Sequence, residues 1–241
     1  MSSADTNKKG SRLRRLTQDL VSMAELVERN VNTAVMALVD SNSRFAYEVI
    51  ALDTDIDEME VVIDRECLEL LADGHPPSGD FRFVAAAMKI NNDLERISNQ
   101  AVNIAEHVLA LLHMRGVEGA VPDLGDLLER IEDMVRQSVE ALITRDGELA
   151  WEIWEQHAAA GEDIRRIVDD LTVSAQKSPK QAARAVRLLR AAVAIGQVIE
   201  YAKDIAEEVI YMKEGIIVKH HEREFRGRQK ARAGLPKEVR P

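Results

Sequence analysis

FAYEVIALD at residues 45–53 returns as LAWEIWEQH at 149–157, an offset of 104 that places Ala46 against Ala150, Tyr47 against Trp151, Glu48 against Glu152 and Val49 against Ile153. AVNIAEHV at 101–108 returns as AKDIAEEV at 202–209, an offset of 101. Two matches in the same order mark an internal duplication. The drop from 104 to 101 fits a shorter loop, ADGHPPSGD in the first copy against AQKSPK in the second. Whatever one copy folds into, the chain must form twice.

Each copy reads as three helices. In the first they are predicted at roughly 11–41, 43–73 and 78–115, with Asp73-Gly74 and Pro76-Pro77 breaking the chain before the third. In the second they are predicted at roughly 123–144, 147–176 and 179–222, with Gly147 at one turn and Ser178-Pro179 opening the last helix. Val49, Leu52, Ile56, Met59, Ile63 and Leu70 recur at helical steps. So do Ile90, Leu94, Ile97, Ala101, Ile104 and Val108. With 46% apolar residues, 4% aromatic and 6 prolines, the chain is expected to be all-α: two tandem three-helix bundles, six long helices in all. The expected units are a basic, flexible segment at 1–15, a first repeat at 16–115, a linker at 116–122, a second repeat at 123–218 and a basic tail at 219–241.

The net charge of −10 is unevenly spread. Residues 1–15 carry +4 and 219–241 carry +5, which leaves −19 on 16–218. An acidic body argues against duplex nucleic acid as the main ligand. Basic ends read as solvated tails or as a weak contact for an acidic partner or anionic lipid. No apolar run approaches the roughly 20 residues needed to cross a bilayer, and the polar, basic start is unlike a signal peptide. A cytoplasmic protein that meets a membrane only through partners is expected. Cys67 is the single cysteine, next to the second helix's seam, and reads as a small core residue.

No catalytic constellation is visible. The six histidines, at 75, 107, 113, 157, 220 and 221, are scattered, and there is no glycine-rich phosphate loop or nucleophile elbow. An acidic stripe is the notable polar feature. Asp53, Asp57, Glu60 and Asp64 lie at steps of 4, 3 and 4, with no Lys or Arg between Arg44 and Arg65. On the third helix Glu95 and Asn99 also lie four apart. Like charges at that spacing repel by roughly 0.2–0.5 kcal/mol per pair. Three readings stand: a solvated face, a docking surface, or a cation site using Asp53, Asp57, Glu95 and Asn99, whose oxygens suit a hard divalent ion.

HPPSGDFRFVAAAMKINNDLERISNQAVNIAEH resembles the third-helix signature of the PhoU family, through Asp80 to Phe83, Lys89-Ile90, Asp93 to Ile97 and Asn103 to Glu106. LDTDIDEME at 52–60 and DIAEEVIYMKEG at 204–215 resemble the family elsewhere, so the likeness covers about 16–215. It implies two three-helix bundles and a cytoplasmic, non-enzymatic negative regulator of phosphate uptake and phosphate-starvation signalling. Such a regulator would couple a phosphate importer ATPase to a sensor histidine kinase, and homodimers are common in the family. A metal-binding accessory protein outside phosphate control is the alternative. Some family members bind iron or zinc through paired acidic-x-x-x-Asp motifs. Here Asp53-x-x-x-Asp57 is intact, but the second motif reads Glu95-x-x-x-Asn99. The duplicate positions are His157, Gly161, Gly196 and Glu200, with Glu200-x-x-x-Asp204 one turn out of register. A divalent metal (iron, zinc or magnesium) is therefore expected in the first repeat only.

Overall fold

The computed structural model describes residues 3–72, 78–114, 125–176 and 179–219. They form six α-helices: α1 Ser3–Val39, α2 Ser43–Ala72, α3 Ser78–Leu112, α4 Gly125–Thr144, α5 Gly147–Ala175 and α6 Pro179–Glu214. No strand occurs among the described residues. The linker at 116–122, the breaks at Asp73-Gly74 and Pro76-Pro77, Ser178, three histidines (His75, His220 and His221) and the basic tail beyond Lys219 lie outside them.

The duplication is written most clearly in the turns. Between α1 and α2, Ser41 takes a left-handed φ of 48°, and the Asn42 N–H donates to the Ala37 carbonyl at 3.0 Å. Between α4 and α5, Arg145 takes a φ of 53°, and the Asp146 N–H donates to the Ala141 carbonyl at 3.0 Å. Both are helix ends closed by a left-handed residue. The residue after each then caps the next helix. Asn42 Oδ1 accepts from the Arg44 N–H at 3.0 Å. Asp146 Oδ1 accepts from the N–H groups of Glu148 and Leu149 at 2.9 and 3.2 Å.

Two boundaries depart from expectation. α1 begins at Ser3 rather than near residue 11, so the basic start continues the helix. α6 stops at Glu214 rather than 222. Gly215 adopts φ 73°, its N–H donates to the Tyr211 carbonyl at 2.9 Å, and the chain then returns to bury Val218. A left-handed glycine ends a helix at little steric cost.

The expected seams are buried. Ile90, Leu94, Ile97, Ala101, Ile104 and Val108 on α3 are all in the core, as are Val49, Ile56, Ile63 and Leu70 on α2, with Leu52 and Met59 partly covered. The two bundles are not separate bodies strung end to end. α3 lies along α6 as extensively as α5 does, α1 touches α4, and one continuous apolar core runs through both repeats.

Polar residues line that α3–α6 seam. Lys89 Nζ pairs with Glu208 Oε1 at 2.9 Å and sits 5.6 Å from the Tyr211 ring centre. Arg96 lies over Tyr201 at 5.6 Å. Asp93 is buried among them, facing Asp204, Arg96, Lys219 and Glu208. Burial pushes its carboxyl up to about 7; Asp204 adds to the rise and Arg96 opposes it. Cys67 is fully buried, and burial pushes its thiol up to about 12.

Three outcomes follow. Leu94→Ala should cost about 2–5 kcal/mol of stability in urea denaturation, as removal of a fully buried leucine does. Cys67 should stay unlabelled by a thiol reagent until the protein unfolds. For Asp93, the folded chain holds a proton that the unfolded chain releases, over the window from the ordinary value of 3.8 up to about 7. Stability should therefore fall as pH rises through that window and level off above it, and Asp93→Asn should flatten the slope. Thermal midpoints of both proteins across pH would check this.

Candidate functional site

α2 and α3 run side by side and bring the two expected i,i+4 pairs onto facing helices. Asp53, Asp57 and Glu60 come from α2, and Glu95 and Asn99 from α3. Burial and mutual approach raise the carboxyl pKa values of Asp57, Glu60 and Glu95. Burial raises the Asp57 carboxyl, and Asp53 raises it further. Glu60 is raised by burial, then by Asp64 and Asp57. Burial also raises Glu95; a hydrogen bond from Asn99 opposes this, and Glu60, Asp57 and Asp53 add to the rise. No basic side chain acts on any of the three. Among the described residues no Lys or Arg pairs with Asp53, Asp57, Glu60 or Glu95.

Polar contacts hold the cluster's inner edge. The Ser98 hydroxyl donates to Asp53 Oδ1 at 2.7 Å and accepts from Asn30 Nδ2 at 2.9 Å. Asn30 and Ser98 are fully buried, so this chain from α1 through α3 to α2 fixes the Asp53 carboxylate. The Asn99 amide donates to Glu95 Oε1. Asn91 is also buried, and its amide donates to the Glu60 carbonyl at 3.0 Å, clamping α3 to the α2 backbone. The asparagines of α3 therefore do separate jobs. Asn91 is structural, Asn99 quiets Glu95, and Asn103 bonds Gln100 at 3.1 Å on an exposed face.

The donor set suits a hard cation in type, since its atoms are carboxylate and amide oxygens. It does not suit one in arrangement. Among the described residues no three His, Cys, Asp or Glu side chains stand close enough to hold one ion together. Asp53, Asp57, Glu95 and Asn99 face one another as two pairs, and Ser98 and Asn99 already occupy an oxygen of Asp53 and of Glu95.

The second repeat meets the same electrostatics differently. His157 is buried, with Nδ1 turned to the Trp154 carbonyl. Gly161 has open space where a side chain would start, whereas a Cβ on Gly196 would lie 3.1 Å from Ile164 Cδ1. Lys203 takes the place of a ligand-bound cation. Its ammonium lies 3.2 Å from Glu200, 3.6 Å from Asp204 and 3.8 Å from Glu207. Burial alone would lower its pKa, but Glu207, Glu200 and Asp204 hold it raised. Trp154 Nε1 donates to Glu207 Oε1 at 3.0 Å. At an offset of 101 the first repeat has Val102 where the second has Lys203. Lys203 lies three residues after Glu200 and four before Glu207. That spacing was the available signal for a helix that neutralises its own acids.

No described helix is long and apolar enough to cross a membrane. The family model of the PhoU domain matches residues 20–108 and again 124–209. The chain is 28% identical over 201 residues to a protein of Pseudomonas aeruginosa named phosphate-specific transport system accessory protein PhoU homolog, covering 83% of each chain. It is 32% identical over 203 residues to an Aquifex aeolicus protein of the same name, covering 84% of this chain and 91% of that one. The crystal structure of PhoU from Pseudomonas aeruginosa superposes with a TM-score of 0.81 at 28% identity, over 86% of this chain and 99% of that one. In fold it also resembles the phosphate transport system regulatory protein PhoU from Streptococcus pneumoniae, with a TM-score of 0.79 at 22% identity, over 88% of this chain and 99% of that one. Two matched repeats, in the order and at the places where the helices duplicate, make this chain a member of the PhoU family.

Proposed function

We propose that this protein is a non-enzymatic accessory regulator of phosphate uptake. In this reading it acts in the cytoplasm as a negative regulator, linking the ATPase of a phosphate importer to a sensor histidine kinase, and works as a homodimer. The observation that carries the reading is the pair of PhoU repeats, shared with relatives named as accessory proteins of the phosphate-specific transport system. The surface supports it. Val173, Val186, Val193 and Ile217 are exposed apolar side chains available to protein partners, and the acidic body disfavours nucleic acid. Membrane contact then comes only through the partners.

A second reading is favoured by one observation, the first repeat's acidic cluster without a counter-ion. This is a metal-binding accessory protein outside phosphate control. Metal binding is compatible with both readings. A divalent ion such as iron, zinc or magnesium would be held in the first repeat by Asp53, Asp57 and Glu95, with Asn99 adding a neutral oxygen after side-chain rearrangement. Lys203 makes the second repeat a poor host.

Deletion in the native host should raise phosphate-responsive expression while phosphate is plentiful, and the purified protein should retain the importer ATPase or the kinase in a pull-down. Unchanged expression together with no retention of either would refute the adaptor reading. For the metal, Asn99→Asp should tighten binding at least about tenfold by restoring ligand charge. Asp57→Ala should abolish binding, and Glu200→Ala should leave it unchanged, by calorimetric titration and metal content. Equal loss from the Glu200 and Asp57 variants would remove the assignment to the first repeat. No binding by any form would leave the stripe as a docking or solvated face.

A further inference from the structure

A second polar site lies away from the acidic stripe, where the start of α3 meets α1, the α4–α5 turn and the end of α6. Gly79 and Asp80 lie roughly 20 Å from Glu95 along α3, at 1.5 Å per residue. The cleft here has a volume of about 410 Å³, within the range of roughly 300–1,000 Å³ typical of small-molecule sites. Three cations from three different elements line it: Arg14 of α1, Arg145 of the α4–α5 turn and Lys213 in the last turn of α6. Asp80 contributes the one carboxylate of the lining.

Many cations of the molecule are matched by an acid, and these three, gathered at one cleft, are not. Arg12, Arg15, Lys89, Arg130 and Lys203 each have an acidic partner within 4 Å. Among the described residues, Arg14, Arg145 and Lys213 form no ion pair. Beside the cleft, Arg82 packs against Gly215, its Nη1 3.1 Å from where a Cβ would stand, and its buried Nε has no partner. Carboxylates are plentiful on a body carrying −19, yet Asp80 is the one carboxylate in the cleft's lining. Arg145 is held in place by its left-handed turn and by the ring of Phe83 beneath its guanidinium. It is thus fixed before any ligand arrives.

Three cations less one carboxylate leave two positive charges, the complement of a phosphoryl dianion. Two guanidinium forks and an ammonium are the side chains that recognise such a group, and the positive end of the α3 backbone dipole favours an anion. Leu13, Phe83 and Met212 supply an apolar wall, and the cleft has room beyond the phosphoryl group itself. We propose that this cleft binds a phosphoryl dianion, free or carried by a small organic molecule, through Arg14, Arg145 and Lys213. The site does not depend on the adaptor reading or on metal.

Calorimetric titration of the full chain with inorganic phosphate and, separately, with adenosine monophosphate at about 0.15 M salt tests it. Saturable one-site binding is expected. Arg145→Gln and Lys213→Gln should each weaken it about tenfold or more, since each removes a charged hydrogen-bond donor. Arg136→Gln, at an exposed α4 residue already paired with Asp133 at 2.7 Å, should not. Tighter binding of the nucleotide assigns the apolar wall to an organic group, and equal binding identifies free phosphate as sufficient. Circular dichroism checks that the variants fold, and Arg14→Gln serves as the third variant should the turn substitution disturb folding. No saturable binding of either probe, or binding unmoved by Arg145→Gln and Lys213→Gln, would overturn the proposal.

Discussion

The packing of α3 along α6 is the constraint on which the rest of the molecule depends. Each helix has one face in its own bundle and another against the other repeat, so both are covered on two sides. The contact mixes apolar seam residues with charge. Lys89, Asp93 and Arg96 lie at steps of four and three on α3 and meet Glu208, Tyr211, Asp204 and Tyr201 on α6. Buried polar groups that lose their partners cost more than apolar ones do when contacts slip. A shift of one helix along the other would strand Asp93 or Glu208 in the interior. The apolar residues drive association, and the charged ones select the register.

That same mixture explains what could be read beforehand. Apolar spacing located the seams of α2 and α3, and the duplication set the helix order. The face of α3 carrying Lys89, Asp93 and Arg96 reads, by spacing alone, as solvated, because charge usually marks exposure. The burial of Asp93 on that face comes from a partner surface more than a hundred residues away, which no local pattern encodes. The two displaced boundaries have local causes of a subtler kind. A helix at its start continues until something stops it, and nothing in 3–15 does. At the other end Gly215 ends α6 through its backbone, a signal that was present but was outweighed by the apolar run Ile216-Ile217-Val218 beyond it.

In the candidate site, the facing of Asp53 and Asp57 with Glu95 and Asn99 followed from the i,i+4 spacing and the helix order. The supporting groups did not. Ser98 sits on the buried side of α3 and reaches Asp53 only because α1 brings Asn30 to its other side. Lys203 reads on paper as one more surface lysine, yet its side chain is only 12% exposed and it serves three acids at once. Positions that hold turns have changed less between the repeats than positions that hold charge. Ser41-Asn42 and Arg145-Asp146 keep the same hydrogen bonds at the same offset. A left-handed residue followed by a cap is a backbone requirement, whereas an exposed helix face tolerates many side chains.

The two repeats have thereby become electrostatically distinct. In the second, Lys203 supplies the positive charge internally, and burial makes that arrangement permanent. In the first, burial and neighbouring carboxylates raise the pKa values of Asp57, Glu60 and Glu95, and relief would come from outside, as a proton, a cation or a basic partner surface. The cleft at the start of α3 has the opposite condition, with three cations to the one carboxylate of Asp80. Both features lie on α3, the helix whose other face joins the repeats. Charge arriving at either would act on an element already tied to α6 by buried polar contacts. A fold that neutralised every charge internally would have no such dependence on its surroundings. This one leaves an acidic cluster and a basic cleft that both draw residues from α3, so a charge bound at either would bear on the helix that joins the two repeats.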